Sequence, residues 1–337
     1  MPSPPPSNAA FLQAARHFLV ASNATATEQA FAPVAQASTS MPLSSLDALE
    51  KQVRHELGQN AQQTRTWWRP RTRTRTQRHL TWLDLCNADG YVRERTLRCL
   101  QAAPSALFLA LALRRLNDWV PEVRAAAREH LPRIAAASAP QDVAQALWAV
   151  LPTLDSWGRF GAAERKTLEE LTASESVSRG LLERILDAPA GPVTSILVQV
   201  TRTPLIDTWL KTVAHNAIQP AVRARSFRFL MEGRATWVAG RTWTWTDLKW
   251  CKGKFEPVTG ERRLEVTYPL QELLEAALRD ASPSVRRIAA EMLIKQPAAV
   301  GTQAAVLAAT LASDRSPHLA ARGRFAMARL SEAGAST

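Results

Sequence analysis

Apolar positions recur at a fixed step along most of the chain. In Leu116 to Leu131, LNDWVPEVRAAAREHL, a leucine is followed seven residues later by Val123, then by Arg124, and eight residues after the valine by Leu131. Leu85, Val92, Arg93 and Leu100 repeat the frame upstream, and Leu278, Val285, Arg286 and Leu293 repeat it downstream. Weaker copies surround Val222-Arg223 with Leu230, and Leu319-Ala320 with Met327. Asn87, Asp118 and Asp280 each stand five residues before the valine. Proline sits two residues before the key apolar position in four of the five copies, as Pro121, Pro220, Pro283 and Pro317. At the first helical position proline loses only an amide that would be unpaired, and its fixed φ suits the helix. Ser282 and Ser316 precede two of these prolines, where a side-chain oxygen caps orphan amides. Each copy therefore predicts a helix with a defined start.

The spacing of the copies predicts how those helices are arranged. Val92 to Val123 is 31 residues, Val285 to Leu319 is 34, and Val222 to Val285 is 63, close to twice the first step. Periods in this range mean stacked helix pairs, because one pair cannot bury its apolar face alone. The pattern D-x-x-x-x-V-R followed by an alanine-rich helix resembles HEAT repeats of the short bacterial type. The resemblance covers roughly 80–330, strongly at 80–135 and 270–330 and poorly at 140–215, where Leu186 and Val193 keep the step but Thr194 replaces the arginine. It implies an all-α fold, an α-solenoid of helix pairs. It also implies that Asp118, Arg124, Asp280 and Arg286 bridge adjacent units as a structural ladder. HEAT-like proteins include scaffolds, chromophore lyases, a hydroxylase and a DNA glycosylase family, so the likeness specifies fold and not function.

The periodicity fails in three places, which divide the chain. Residues 1–42 are rich in Pro, Ser, Ala and Thr and nearly uncharged, and read as a flexible leader with one short helix at Asn8 to Val20. In 43–80, Ser44-x-x-Asp47 has capping-box form, and Leu46, Leu49, Val53 and Leu57 fall at helical spacing before Gly58. That helix is expected to cover the open end of the repeats at 81–230. Within 231–268, period-two alternation at Trp243 and Trp245 and at Leu264, Val266 and Tyr268, with Thr259-Gly260 as a turn, predicts an inserted β-hairpin. Repeats then resume over 269–331.

Charge raises two candidate surfaces. The chain carries a formal +12, and Lys51 to Leu80 holds eight Lys or Arg against one acid, Glu56. Trp67, Trp68, Arg69, Arg71, Arg73 and Arg75 form an extended comb suited to phosphates and to stacked bases, or else a solvated basic linker. Arg95, Arg98, Arg225 and Arg228 lie on second helices off the core positions, and so add charge to the surface that repeats use for binding. Trp243, Trp245, Lys252, Lys254, Arg262 and Arg263 cluster in the hairpin, as a stacking and phosphate-contacting surface or as a hairpin packed down on its neighbours.

Catalytic chemistry is thin. There is no G-x-S-x-G, H-E-x-x-H, phosphate-binding glycine loop or dinucleotide fingerprint. The six histidines are scattered, and the three cysteines include no C-x-x-C, so neither a metal nor any other cofactor is expected. Asp118 beside Trp119 is similar to the aspartate and aromatics of HEAT-like alkylpurine glycosylases, but a two-residue match transfers no catalytic role. The run Ala106 to Leu113 is too short to span a bilayer and reads as the buried first helix of a repeat. No convincing signal peptide precedes it, so a cytoplasmic setting without membrane contact is expected. Two functions stay open: a non-enzymatic scaffold that presents a curved surface to a protein partner, and a nucleic-acid-binding protein, glycosylase-like or otherwise.

Overall fold

The computed structural model describes residues 6–21, 28–63 and 80–335, and within them the chain is mostly helical, with seventeen α-helices and one two-stranded antiparallel sheet. Two compact units, Met1–Leu181 and Leu182–Thr337, divide it. The Arg-Thr comb with Trp67, Trp68, Arg69, Arg71, Arg73 and Arg75 lies outside the described residues.

The first unit contains α1 (Pro6–Ala21), α2 (Glu28–Thr39), α3 (Leu46–Gln63), α4 (Gly90–Cys99), α5 (Ala106–Leu113), α6 (Pro121–Ala137), α7 (Pro140–Val150) and α8 (Ala162–Thr172), and the division falls within α9 (Glu175–Asp187). Helices α4, α6 and α8 pack in sequence as one layer, and α5 and α7 pack as another. All eight residues of α5 are buried, as befits a helix that is apolar all round. Proline opens α6 and α7, where its missing amide costs nothing. Val123 and Leu131 are fully buried, whereas Val92 is only half-buried and yields its place to Arg93 beside it.

The leader differs from expectation. Its residues form two helices, α1 and α2, in place of a flexible extension with one. The cause is aromatic: Phe11 and Phe31 lie 6.2 and 5.6 Å from the ring of Phe108 in α5, and Phe18 packs edge-on against Phe31 at 5.3 Å. Burial of those rings outweighs the local Pro, Ser and Ala content. Helix α3 starts at Leu46, so Ser44 falls in the 3-10 turn Leu43–Ser45 ahead of it. Its stripe of Leu46, Leu49, Val53 and Leu57 is buried, packed on α1, α5 and the 3-10 turn Trp82–Cys86.

The second unit runs α10 (Val193–Val200), α11 (Leu210–Asn216), α12 (Pro220–Glu232), β1 (Arg234–Asp247), β2 (Lys252–Arg263), α13 (Leu270–Leu278), α14 (Pro283–Lys295), α15 (Pro297–Val300), α16 (Gln303–Ala312) and α17 (Pro317–Ala335). Helices α10, α12, α14 and α17 pack in succession, with α11, α13 and α16 paired onto them. Val222 and Val285 are fully buried and Leu319 nearly so, but Met327 of the weakest copy faces solvent. Ser282 caps α14 by accepting from the Ser284 amide.

The hairpin is present, with its turn elsewhere than at Thr259-Gly260. Both of those residues lie inside β2, and the chain reverses at Leu248 to Cys251. Gly260 stands opposite Trp237, and a side chain there would collide with that indole. Its missing Cβ thus makes room for a cross-strand partner and not for a turn. At the true reversal Asp247 accepts from the Trp250 amide, and Cys251 adopts a left-handed φ of 48°. Leu264, Val266 and Tyr268 follow β2 as half-buried residues without strand pairing.

Candidate functional site

Three arginine–aspartate pairs recur along the chain, each joining the first turns of one helix to the loop that precedes a later one. Arg93 grips Asp118 through Nε at 2.9 Å and Nη2 at 2.7 Å, with both side chains only 2% exposed. Arg223 grips Asp280 at 2.8 and 2.9 Å, and Arg286 grips Asp314 at 2.7 and 3.0 Å. In each case the third guanidinium nitrogen donates to two backbone carbonyls of its own unit: Asn87 and Ala88, Ala217 and Ile218, Asp280 and Ala281. Each aspartate in turn accepts an amide two residues on, from Val120, Ser282 or Ser316. The fork shape of arginine meets both carboxylate oxygens at once, which a lysine does not do. Arg124 donates to the backbone oxygen of Asp118 at 2.8 Å.

Burial works against the charge of Asp118, but hydrogen bonds from Arg93 and the Val120 amide, with the charge of Arg115, hold its carboxyl below the usual range. Arg115 extends the network, bonding Asp118 at 3.1 Å and Glu50 of α3 at 2.6 Å. A cleft of about 390 Å³ opens over this network, flanked by Trp119, Trp157 and Arg159. Both oxygens of Asp118 are occupied by arginine, and the side chain is nearly inaccessible. It holds the fold, and the comparison with a catalytic aspartate fails on geometry. Burial and the nearby charge of Glu50 push the Cys86 thiol up to about 12, so it packs as a small apolar group. Among the described residues no cluster of three or more His, Cys, Asp or Glu is placed to hold a metal ion. No described helix is long and apolar enough to cross a membrane.

The hairpin presents a different surface. It is tied to the helices at its root: Ala235 is fully buried, Arg225 donates to the Thr236 carbonyl at 2.7 Å, and the Arg202 guanidinium lies 5.0 Å over the ring of Trp237. From Gly240 to Val258 no residue is buried. In this outer part the two strands support each other. Trp243 faces Phe255 across the ladder with ring centroids 4.9 Å apart, and meets Trp245 edge-on at 5.5 Å. Trp243 also lies across Gly253, whose missing side chain leaves it room. Cross-strand aromatic pairs of this kind hold a hairpin that stays largely exposed. Trp243, Trp245 and Phe255 remain 41, 52 and 64% exposed, and Leu248 and Trp250 at the turn 76 and 66%.

The sequence candidates therefore part company. Trp243 and Trp245 come together on one open face; of the two expectations for them, packing down on neighbouring helices is not what the described residues show, since both rings stay largely exposed. Lys252 is exposed opposite Asp247, and Lys254 is paired with Glu256 at 3.0 Å. Arg262 points inward, where Asp207 and the carbonyls of Thr201 and Thr203 take its donors, so it anchors the hairpin. Arg263 is exposed. In the first unit Arg95 is exposed, and Arg98 spans Glu94 and Glu129 at 3.0 and 3.5 Å. Arg225 and Arg228 line one groove at the hairpin root. Phe255, Asp207 and Asp314 escape the sequence reading. Only Asp314 carries a signal that finds it, standing five residues before Leu319 as Asp280 does before Val285.

Comparison with protein-family models, with curated proteins and with solved structures finds no match.

Proposed function

We propose that this chain is a non-enzymatic binding protein, a HEAT-like α-solenoid that holds a protein partner against the aromatic face of β1 and β2. The observation that carries the reading is the ribbon itself. An apolar face of Trp243, Trp245 and Phe255 kept in water has no stabilising role for the helices, and large exposed aromatics are characteristic of partner contacts. Each strand of a two-stranded sheet also leaves one edge unpaired, to which an extended partner segment can add. Arg241, Lys249 and Lys252 lie on the same ribbon with Asp247, whereas Lys254 and Glu256 pair with each other at positions that alternate with Trp243 and Phe255. The partner surface is accordingly apolar with an acidic rim.

Ring geometry favours protein over nucleic acid. Trp243 meets Trp245 at 88° and Phe255 at 70°, so the rings spend part of their surface on one another and form no shared flat platform for successive bases. Arg262 and Lys254, expected as phosphate contacts, already have acidic partners. The nucleic-acid reading keeps support from the net charge of +12 and from the cleft with Trp119, Trp157 and Arg159. The test is retention of partners by the immobilised wild-type chain and by a Trp245→Ser/Phe255→Ser variant, with nuclease present, followed by rebinding of the purified partner. A discrete protein bound by the wild type and lost with the variant supports the proposal. Affinity for DNA or RNA that falls steeply with salt and ignores the variant overturns it.

A further inference from the structure

Beside the hairpin root lies a groove of about 540 Å³ that the aromatic face does not use. Its lining includes Thr194, Ala221 and Ser284, which are the second residues of α10, α12 and α14. The first turns of three helices therefore border one space, although the Ser284 amide of α14 is already taken by Ser282. Arg225, Arg228 and Arg287 add three guanidinium groups to the same walls, against one carboxylate, Glu232.

These cations are not equally engaged. Arg228 pairs with Glu291 at 2.5 Å and Glu232 at 3.5 Å, and Arg287 shares Glu291 at 3.5 Å. Among the described residues no carboxylate lies within ion-pair distance of Arg225. Its Nη2 donates to the carbonyl and hydroxyl of Thr236, its guanidinium lies 4.6 Å over the ring of Phe229, and its Nε is buried without an acceptor. Burial and the neighbouring Arg228 depress its pKa, against a smaller opposing effect of the Glu232 carboxylate. A buried donor left without an acceptor is costly, and it leaves the Arg225 guanidinium less satisfied than those of Arg228 and Arg287.

We propose that this groove binds a phosphate monoester, with Arg225 and Arg287 as the charged contacts and the Ser284 hydroxyl beside them. Donors converge here from three helices, which suits a tetrahedral group with three free oxygens better than a planar carboxylate with two. A diester of a nucleic-acid backbone offers two free oxygens and a single charge, and satisfies fewer of them. A free phosphorylated metabolite and a phosphorylated side chain of a partner carry the same group. The site stands independently of the hairpin reading.

The test is calorimetric titration of the full chain with inorganic phosphate, with a phosphoserine peptide and with that peptide unphosphorylated, using the wild type, R225Q and R287Q. Circular dichroism checks the fold, and R287Q guards against loss of structure because the Arg287 side chain is 57% exposed. Phosphate or phosphopeptide should bind the wild type, at least about tenfold more weakly R225Q, and by an intermediate factor R287Q. Comparable binding of phosphate and phosphopeptide marks a metabolite site, and a strong preference for the phosphopeptide marks a modified partner. Absence of binding to either, or equal affinity in the wild type and the folded variants, overturns the proposal.

Discussion

Arg262 donates to both carboxylate oxygens of Asp207, at 2.9 and 2.5 Å, and to the carbonyls of Thr201 and Thr203 at 2.7 and 2.6 Å. One residue near the end of β2 thereby fastens the ribbon to the 3-10 turn Pro204–Trp209. Asp207 is 1% exposed, so removal of its partner strands a charge in the interior. Arg262→Ala should cost about 3 kcal/mol in urea unfolding, in the range for one half of a buried pair. Arg241→Ala, on the exposed part of β1, should stay within about 0.5 kcal/mol of the wild type. Equal costs for the two variants would show that the ribbon is not anchored in this way.

The arginine ladder has an acid limit. Although burial opposes it, the hydrogen bonds from Arg93 and the Val120 amide put the folded pKa of Asp118 below its ordinary value of 3.8, and Asp280 and Asp314 shift in the same direction. A depressed folded pKa contributes stability that is complete above the unfolded value and is lost as pH falls through the folded one. Stability should therefore drop with each step of pH below about 4, and the slope should be shallower in Asp118→Asn, a variant less stable at neutral pH. Parallel slopes in the two proteins would remove Asp118 from the account.

Much of this ladder was legible in the sequence, because each arginine directly follows the valine of its frame and proline fixes where the helices of Arg223 and Arg286 begin; Arg124, expected to bridge as well, donates to the Asp118 backbone instead. Less legible was which acid each arginine meets. Arg286 reaches Asp314, 28 residues on, through the packing of whole units, and only the recurrence of the five-residue offset links the two in sequence. The misplaced turn has a similar cause. Thr259-Gly260 has the local composition of a reversal, but the demand on Gly260 comes from Trp237 on the other strand. For the hairpin aromatics, composition identified Trp243 and Trp245 but not Phe255, and left their exposure open, since burial depends on whether any helix lies alongside.

The N-terminal stretch gives the sharpest contrast between composition and packing. Phe11 is fully buried against Phe108. Phe11→Ala should lower stability by about 3–5 kcal/mol in chemical denaturation, as for other buried phenylalanines. A flexible leader would make the substitution silent.

Two glycines separate close packing from mere helical position. Gly323 of α17 lies so near the backbone of Leu311 and Ala312 that a Cβ would collide with it. Gly323→Ala should cost about 1–3 kcal/mol by overpacking. Gly58, within α3, has open space around it, and Gly58→Ala should gain about 0.5–1 kcal/mol from helix propensity. Thermal melts of the two variants should move in opposite directions, and a shift of the same sign would refute the α16–α17 contact.

The claim that the ribbon is a protein-binding surface is tested most directly by placing a photo-crosslinking amino acid at Trp245 and irradiating the chain in its own cells. A discrete adduct that survives nuclease and disappears on protease digestion is the predicted result. Adducts abolished by nuclease, or none at Trp245 where a probe at Trp119 gives them, would contradict it.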